Sequence, residues 1–357
     1  MRIRHLLSVA SFLAPVTASG ISAAGVTWDT NGFKYLDKTT DPDGGGSLPA
    51  IVFTSTASSH LHQGSSSHLW FDEGPYKYDS GYAPAEAADG IGNFIEIHQA
   101  NSGASNFWFR FAQTTVSGGT TLVNWKQMGA IQKDQGMNPS IAAWGLSASG
   151  DIAASGGVIQ VHQAGAGVGP LWANVASVQF QGFTNVWTGV NFTGAWIYDQ
   201  NGGEFPSIAT DGNNVIEVHQ AGNGVSALWY RVGTWGHDSH GNPTVTFGNS
   251  FQINAGSGNV SGQHASVTMC NGTVVEVDEE PSTQFPQALV SHTGKFTCNG
   301  LSGCSFAWDN GSSNHYDNGF FPKVSCLVGG GAGARGLEVH QASQSGLGDL
   351  WTHGFHI

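Results

Sequence analysis

The stretch "VIEVHQAGNGVSALWYRVG", from Val215 to Gly233, brings Glu217, His219, Gln220, Trp229 and Arg231 close together along the chain. A carboxylate and an imidazole two residues apart can ligate a metal ion or exchange a proton. An amide, a guanidinium and an indole can instead hold a sugar, with polar groups on its hydroxyls and the flat ring on its C–H face. In an extended strand, side chains two apart share a face. Glu217 and His219 therefore project together, and Ile216, Val218 and Gln220 take the other side. Such a strand supplies two metal ligands, whereas a zinc site draws at least three from the protein.

The same words recur. "FIEIHQANSGASNFWFRF" (Phe94 to Phe111) supplies Glu96, His98, Gln99, Trp108 and Arg110. "GLEVHQASQSGLGDLW" (Gly336 to Trp351) supplies Glu338, His340, Gln341 and Trp351, with His353 in the arginine's place. "VIQVHQAGAGVGPLWANV" (Val158 to Val175) has Gln160 for the glutamate. "VVEVDEEPSTQFPQALVSH" (Val274 to His292) has Asp278-Glu279 for His-Gln and Val290 for tryptophan, so its pocket is expected to be lost. "SSHLHQGSSSHLWF" (Ser58 to Phe71) has His60 for the glutamate. That makes six copies. A metal or catalytic centre is seldom copied into every repeat, whereas buried polar residues that bond one another between packed sheets are. No carboxylate pair stands out from the repetition as a glycosidase pair would, and there is no Gly-x-Ser-x-Gly elbow. The expectation is a binding protein without catalysis, metal or cofactor; the alternatives are a glycoside-active enzyme and a non-catalytic protein-interaction scaffold on the same fold.

The elements that carry these words are short. A second motif lies between the copies: "NPSIA" (Asn138 to Ala142), "FPSIA" (Phe205 to Ala209), and the looser "FPKVS" and "HASVT". Tyr78-Asp79, Tyr198-Asp199 and Tyr316-Asp317 precede such segments, and aromatic runs ending at Trp28, Trp125, Phe192, Phe247 and Trp308 lie further upstream. Each repeat thus has four apolar runs separated by Gly, Asn, Asp and Ser, which read as strands. Helical periodicity is absent nearly everywhere. Four strands in a unit of roughly 55 to 65 residues is the signature of a propeller blade. The fold class is therefore all-β, a β-propeller of six four-stranded repeats, with seven blades as the alternative. Each "VHQ…LW" stretch is expected to hold an inner and an outer strand. The short interval between His62 and His98 suggests a merged strand pair and an incomplete second blade. Pairing of Leu350–Ile357 with Val26–Asp29 would close the ring and remove open edges.

Composition agrees with this. Charged residues are 10% of the chain, against 52 glycines and 12 tryptophans, which suits a turn-rich β protein. The net charge of −13 repels phosphate backbones and anionic membranes, so no nucleic-acid partner and no membrane insertion is expected. Arg2, Arg4 and the short apolar stretch Leu6–Val16 read as a signal peptide over residues 1–24, leaving 25–357 as the propeller domain of a secreted protein. Export permits disulfides. Cys298 and Cys304 flank "NGLSG" and suit a hairpin clip, which pairs Cys270 with Cys326.

The run "NPSIA…VIEVHQ…LWYRVG", with a Tyr-Asp pair ahead of it, resembles the Photorhabdus-type β-propeller lectins over roughly Val26 to Ile357, most closely at Glu204–Gly233. The resemblance implies a secreted lectin that binds fucose and related sugars, O-methylated ones included, in pockets between neighbouring blades. Its partners would be glycans on cell surfaces, and it could oligomerise. Family members have seven blades where six copies are found here. Six-bladed fungal fucose lectins, which use Arg, Glu and Trp, match these words less well. The residues that carry over as sugar-binding are Glu217, His219, Gln220, Trp229 and Arg231; Glu96, His98, Gln99, Trp108 and Arg110; and Glu338, His340, Gln341 and Trp351.

Overall fold

The computed structural model describes residues 26–29, 34–37, 46–53, 58–71, 76–89, 92–117, 120–125, 131–144, 157–180, 187–255, 258–270, 272–281, 287–298, 304–326, 334–344 and 346–357. The signal peptide expected over 1–24 lies outside them. Among the described residues there is no α-helix, hence none long and apolar enough to cross a membrane.

The strands fall into antiparallel units that follow the sequence repeats. The first unit is β3 (Ser47–Phe53), β4 (Ser58–Gln63), β5 (His68–Phe71) and β6 (Tyr76–Ser80). The second is β7 (Tyr82–Ala88), β8 (Asn93–Gln99) and β9 (Ser105–Ser117), edged by β10 (Thr120–Asn124) and the start of β11 (Ile131–Trp144). The rest of β11 opens the third unit, followed by β12 (Gly157–Gln163) and β13 (Gly169–Phe180). Its edge is β14 (Trp187–Phe192) and the start of β15 (Trp196–Thr210). The fourth unit is the rest of β15, β16 (Asn214–Gln220), β17 (Ser226–His237) and β18 (Pro243–Gln252). The fifth is β19 (Ser261–Cys270), β20 (Thr273–Glu280) and β21 (Ala288–Cys298), edged by β22 (Cys304–Trp308) and β23 (Asn314–Asn318). The sixth is β24 (Phe320–Cys326), β25 (Arg335–Gln341) and β26 (Leu350–His356), beside β1 (Thr27–Trp28) and β2 (Lys34–Asp37). In β1, Thr27 pairs with His356 and Trp28 with Phe355, within the segments expected to meet.

The Pro-Ser-Ile-Ala strands sit innermost. β3 packs beside β7, β7 beside β11, β11 beside β15, β15 beside β19, β19 beside β24, and β24 beside β3. Together they line one central cavity, with small residues such as Ala50, Ala87, Ala142 and Ala209 buried around it. This arrangement of radial sheets is that of a β-propeller. Each innermost strand begins with the same bulge, at Leu48, Ala83, Asn138, Phe205, His264 and Phe321, all with φ between 46° and 53°. The serine of the motif explains its recurrence. Ser140 Oγ accepts the Ile208 N–H (3.2 Å), Ser207 the Val267 N–H (3.0 Å) and Ser266 the Val324 N–H (3.2 Å), each across to the next unit. Between the units, apolar clusters such as Ile159, Val161, Ile208 and Val215 form the core.

Both disulfides pair as the spacing suggests. Cys270–Cys326 ties β19 to β24 in the next unit, and Cys298–Cys304 clips the β21–β22 hairpin. Two expectations change. The "VHQ…LW" stretch forms the second and third strands of a unit, not an inner and an outer one. The second unit has all its strands. The economy lies in the first, where β6 alone supplies the edge that β14 and β15 share in the third.

Candidate functional site

The second strand of each unit is covered on both faces. In β8, β12 and β16 every residue is buried. The polar face of the motif therefore needs partners from within the protein, and the preceding unit supplies them. Glu217 accepts hydrogen bonds from the Tyr198 hydroxyl (2.9 Å) and from His219 Nδ1 (3.1 Å). Arg231, directly opposite Glu217 on β17, donates to Asp199 through Nε (2.9 Å) and Nη2 (2.6 Å). Tyr198 and Asp199 belong to the edge of the third unit, so the cluster clamps one unit to the next. The second unit repeats it. Tyr78 donates to Glu96 (3.2 Å), His98 Nδ1 lies 2.8 Å from Glu96, and Arg110 pairs with Asp79. In the sixth, His340 sits 3.1 Å from Glu338, and His353 takes the arginine's part, 2.7 Å from Asp317.

Burial alone would lower the pKa of His98, His219 and His340. The adjacent Glu96, Glu217 and Glu338, with Asp79, Asp199 and Asp317, outweigh it and move all three upward. Tyr78 and Tyr198 are held well above their ordinary value by burial and by the same carboxylates.

The glutamine is a second fastener, and it acts on the following unit. Gln220 Oε1 accepts the His264 N–H (2.9 Å), and its Nε2 donates to the Gly222 and Gly224 carbonyls (2.7 and 3.3 Å). Gln99 Oε1 accepts the Asn138 N–H (2.7 Å) and Gln163 that of Phe205 (2.9 Å). Glu279 replaces glutamine in the fifth unit and keeps the bond, accepting the Phe321 N–H at 2.6 Å. Gln341 donates to the Ser343 and Gly346 carbonyls. Each acceptor serves the left-handed residue of the next bulge, whose N–H would otherwise be orphaned.

The tryptophan stands apart from both fasteners. It lies opposite the histidine in every copy that has one: His62 with Trp70, His98 with Trp108, His162 with Trp172, His219 with Trp229 and His340 with Trp351. All five rings are half-buried, with one part open to solvent. So are Arg110 and Arg231. Of the residues expected to meet a sugar, the tryptophans and arginines are therefore accessible. Glu96, Glu217, Glu338, His98, His219, His340, Gln99, Gln220 and Gln341 are buried behind them.

The third unit is open where the second and fourth hold an arginine–aspartate clamp. A cavity of ≈ 380 Å³ lies between the second and third units, lined by Ala104, Asp134, Gln135, Gly136, His162, Ala164 and Trp172. That is the size of a small-ligand site. Three substitutions make the room. Asn174 stands opposite Gln160, where Arg231 stands opposite Glu217. Lys133, which is exposed, precedes Asp134 as Tyr78 precedes Asp79. Asp134 takes φ 60°, an unfavourable conformation for a residue with a side chain, of the kind that gathers at binding sites. Its Oδ2 is buried without a hydrogen-bond partner, as are Gln160 Oε1 and Asn174 Oδ1. Gln160 Nε2 lies 2.9 Å from His162 Nδ1. In this amide orientation Nδ1 accepts and the ring proton sits on Nε2. Burial, weakly opposed by Asp134, lowers the His162 pKa to about 4 and keeps the ring neutral. The cavity thus offers a carboxylate acceptor, a neutral imidazole and an indole face.

Sequence reasoning passed over this unit because Gln160 replaces the glutamate. The signal was present: glutamate and arginine are lost together while "VHQ" and "LW" remain intact. The correlated loss removes a clamp and leaves the half-exposed tryptophan beside an open cavity.

No protein-family model matches the chain, and neither does any curated protein. Among solved structures it is similar to a subtype N11 neuraminidase-like protein of A/flat-faced bat/Peru/033/2010, with a TM-score of 0.51 at 10% identity over 92% of this chain and 93% of that one. The chain has a β-propeller fold. A subtype N10 neuraminidase-like protein of A/little yellow-shouldered bat/Guatemala/060/2010 aligns with a TM-score of 0.48 at 10% identity, over 92% of this chain and 99% of that one.

Proposed function

We propose that the protein is a secreted, non-catalytic lectin that binds neutral glycans in pockets between the blades of a six-bladed propeller. The observation that carries the reading is the cavity where Trp172, His162 and Asp134 converge. A sugar ring laid on the indole would present hydroxyl donors to the buried, unpartnered acceptors and oxygen acceptors to His162 Nε2–H. A neutral ligand suits a chain of net charge −13 better than an anionic one. In the second, fourth and sixth units the accessible groups are Trp108 with Arg110, Trp229 with Arg231, and Trp351; the buried Glu-His pairs hold those groups in place. Fucose or an O-methylated sugar is the proposed class, because its methyl groups suit an aromatic wall. Weak sites repeated around one body would gain strength on a glycan-bearing surface.

Six blades are supported by the six innermost strands and their identical bulges. Closure by the chain ends is supported by the pairing of β1 with β26. Secretion is supported by two disulfides, which suit an oxidising compartment. The test is a glycan array with the full chain. Retention of fucosylated or O-methylated glycans is expected, with no release of reducing sugar from the bound polymers. Absence of binding to any glycan would remove the lectin reading, and sugar release would replace it with an enzymatic one.

A further inference from the structure

The fifth unit breaks the clamp in a different way. Ahead of Gly262 the chain reads Asn259-Val260, where Tyr78-Asp79 precedes Gly81 and Tyr316-Asp317 precedes Gly319. Among the described residues no tyrosine hydroxyl is hydrogen-bonded to Glu276. The histidine of the motif is replaced by Asp278, and His292 stands directly opposite Glu276, where Arg231 stands opposite Glu217. Two carboxylates on one strand face thus meet an imidazole from the next strand. This supplies the third ligand that a Glu-x-His strand lacks.

The group is fully buried: Glu276 and Asp278 are 0% exposed and His292 is 1% exposed. None of their side-chain oxygens or nitrogens has a hydrogen-bond partner. Among the described residues, His292 Nε2 lies 3.4 Å from Asp278 Oδ2 and 3.6 Å from the part-exposed Glu280 Oε1, and the Glu276 and Asp278 carboxyls face one another. One donor atom from each of Glu276, Asp278 and His292 lies within 4.8 Å of the others. A tetrahedral ion with bonds of about 2.0–2.1 Å spaces its ligand atoms about 3.3–3.4 Å apart, which the His292–Asp278 separation already matches. Two buried carboxylates side by side are costly unless protons or a cation neutralise them.

We propose that Glu276, Asp278 and His292 bind a divalent metal ion of the zinc class, with Glu280 as the fourth ligand. Carboxylate and imidazole together suit zinc. Glu276 and Asp278 would balance its charge, and Glu280, which is part-exposed, would bring one further negative charge. The ion would take the place of the missing Tyr-Asp clamp, so its role would be structural. Sequence reasoning expected no metal, because the Glu-x-His pattern supplies two ligands; the third became visible only from the register of β20 against β21.

The experiment uses the full chain with its disulfides intact, stripped with a chelator and then exposed to Zn²⁺. Elemental analysis after gel filtration is expected to find one zinc per chain, and the melting temperature is expected to rise by several degrees. D278N and H292Q should each lower zinc affinity at least tenfold. Cobalt loading of the wild-type chain keeps the proposal testable if those variants fail to fold, since a tetrahedral site gives intense visible absorption and surface histidines give weak octahedral bands. Failure of the wild type to take up zinc would overturn the proposal and leave a proton-sharing cluster. Uptake that persists unchanged in folded D278N and H292Q, or weak octahedral cobalt bands alone, would overturn it as surface binding.

Discussion

Replacing Gln220 by alanine tests the fastener between the fourth and fifth units. The side chain is 1% exposed and makes three hydrogen bonds: one from the His264 N–H and two to the carbonyls of Gly222 and Gly224. Truncation leaves the His264 N–H without an acceptor, and an orphaned buried donor costs about 1–3 kcal/mol. The two carbonyl bonds close a turn in which Asn223 and Gly224 are exposed, so water replaces much of what they lose. The sum is about 3 kcal/mol, which at about 2 °C per kcal/mol for a chain of this size lowers the melting temperature by about 6 °C. Gln63→Ala is the internal control. Gln63 Oε1 is buried with no partner, so its removal orphans no N–H of a neighbouring unit. Differential scanning calorimetry of both variants gives the answer. A Q220A melting temperature within a degree of wild type, or a loss no larger than that of Q63A, would refute the fastener.

Three further outcomes follow from the same geometry. Gly203→Ala should destabilise the fold by about 2 kcal/mol or more, because the new Cβ would lie 2.4 Å from His219 Cδ2 and 2.7 Å from the Gln220 carbonyl, both buried and fixed. Gly165→Ala, which meets nothing within 4 Å, should be near neutral by urea unfolding. Stability should fall on acidification: burial lowers His60 and His162 to about 4, so the stability tied to their neutral rings is full above their unfolded pKa of 6.5 and is lost as pH drops from there towards 4. The upper bound is about 3 kcal/mol for each ring; H162Q should flatten part of that slope, and an unchanged slope would contradict it. His98, His219 and His340 work in the opposite sense, adding stability that is full below 6.5 and lost as pH rises through their raised values. Asn174→Arg should rebuild the clamp on Asp134, hold or raise the melting temperature, and weaken ligand binding at least tenfold by filling the cavity; unchanged affinity measured by calorimetry would place the ligand elsewhere.

The repeats, the strand content and both disulfides were legible because each depends on local pattern: alternation, turn residues and cysteine spacing. What the pattern could not reveal was the surroundings. Alternation says that Glu217 and His219 share a face, but not that the preceding unit covers that face with Tyr198 and Asp199. Ile216 and Glu217 are equally buried because β16 is sandwiched on both sides. The third pocket was missed for the same reason. Its existence depends on what Asn174 and Lys133 leave unfilled, and that space is shared by residues far apart in sequence.

The inter-blade cavity, with Trp172 within it, is the proposed site for a neutral sugar. Titration calorimetry with the sugar retained on the array tests it directly, using wild type, Trp172→Ala and Trp229→Ala. The account predicts saturable binding by the wild type and loss of one class of sites in Trp172→Ala, with the melting temperature lowered by no more than about 3 °C because the ring is already part-exposed. Trp229→Ala should leave that class intact. Wild-type affinity and stoichiometry in a folded Trp172→Ala would contradict the account.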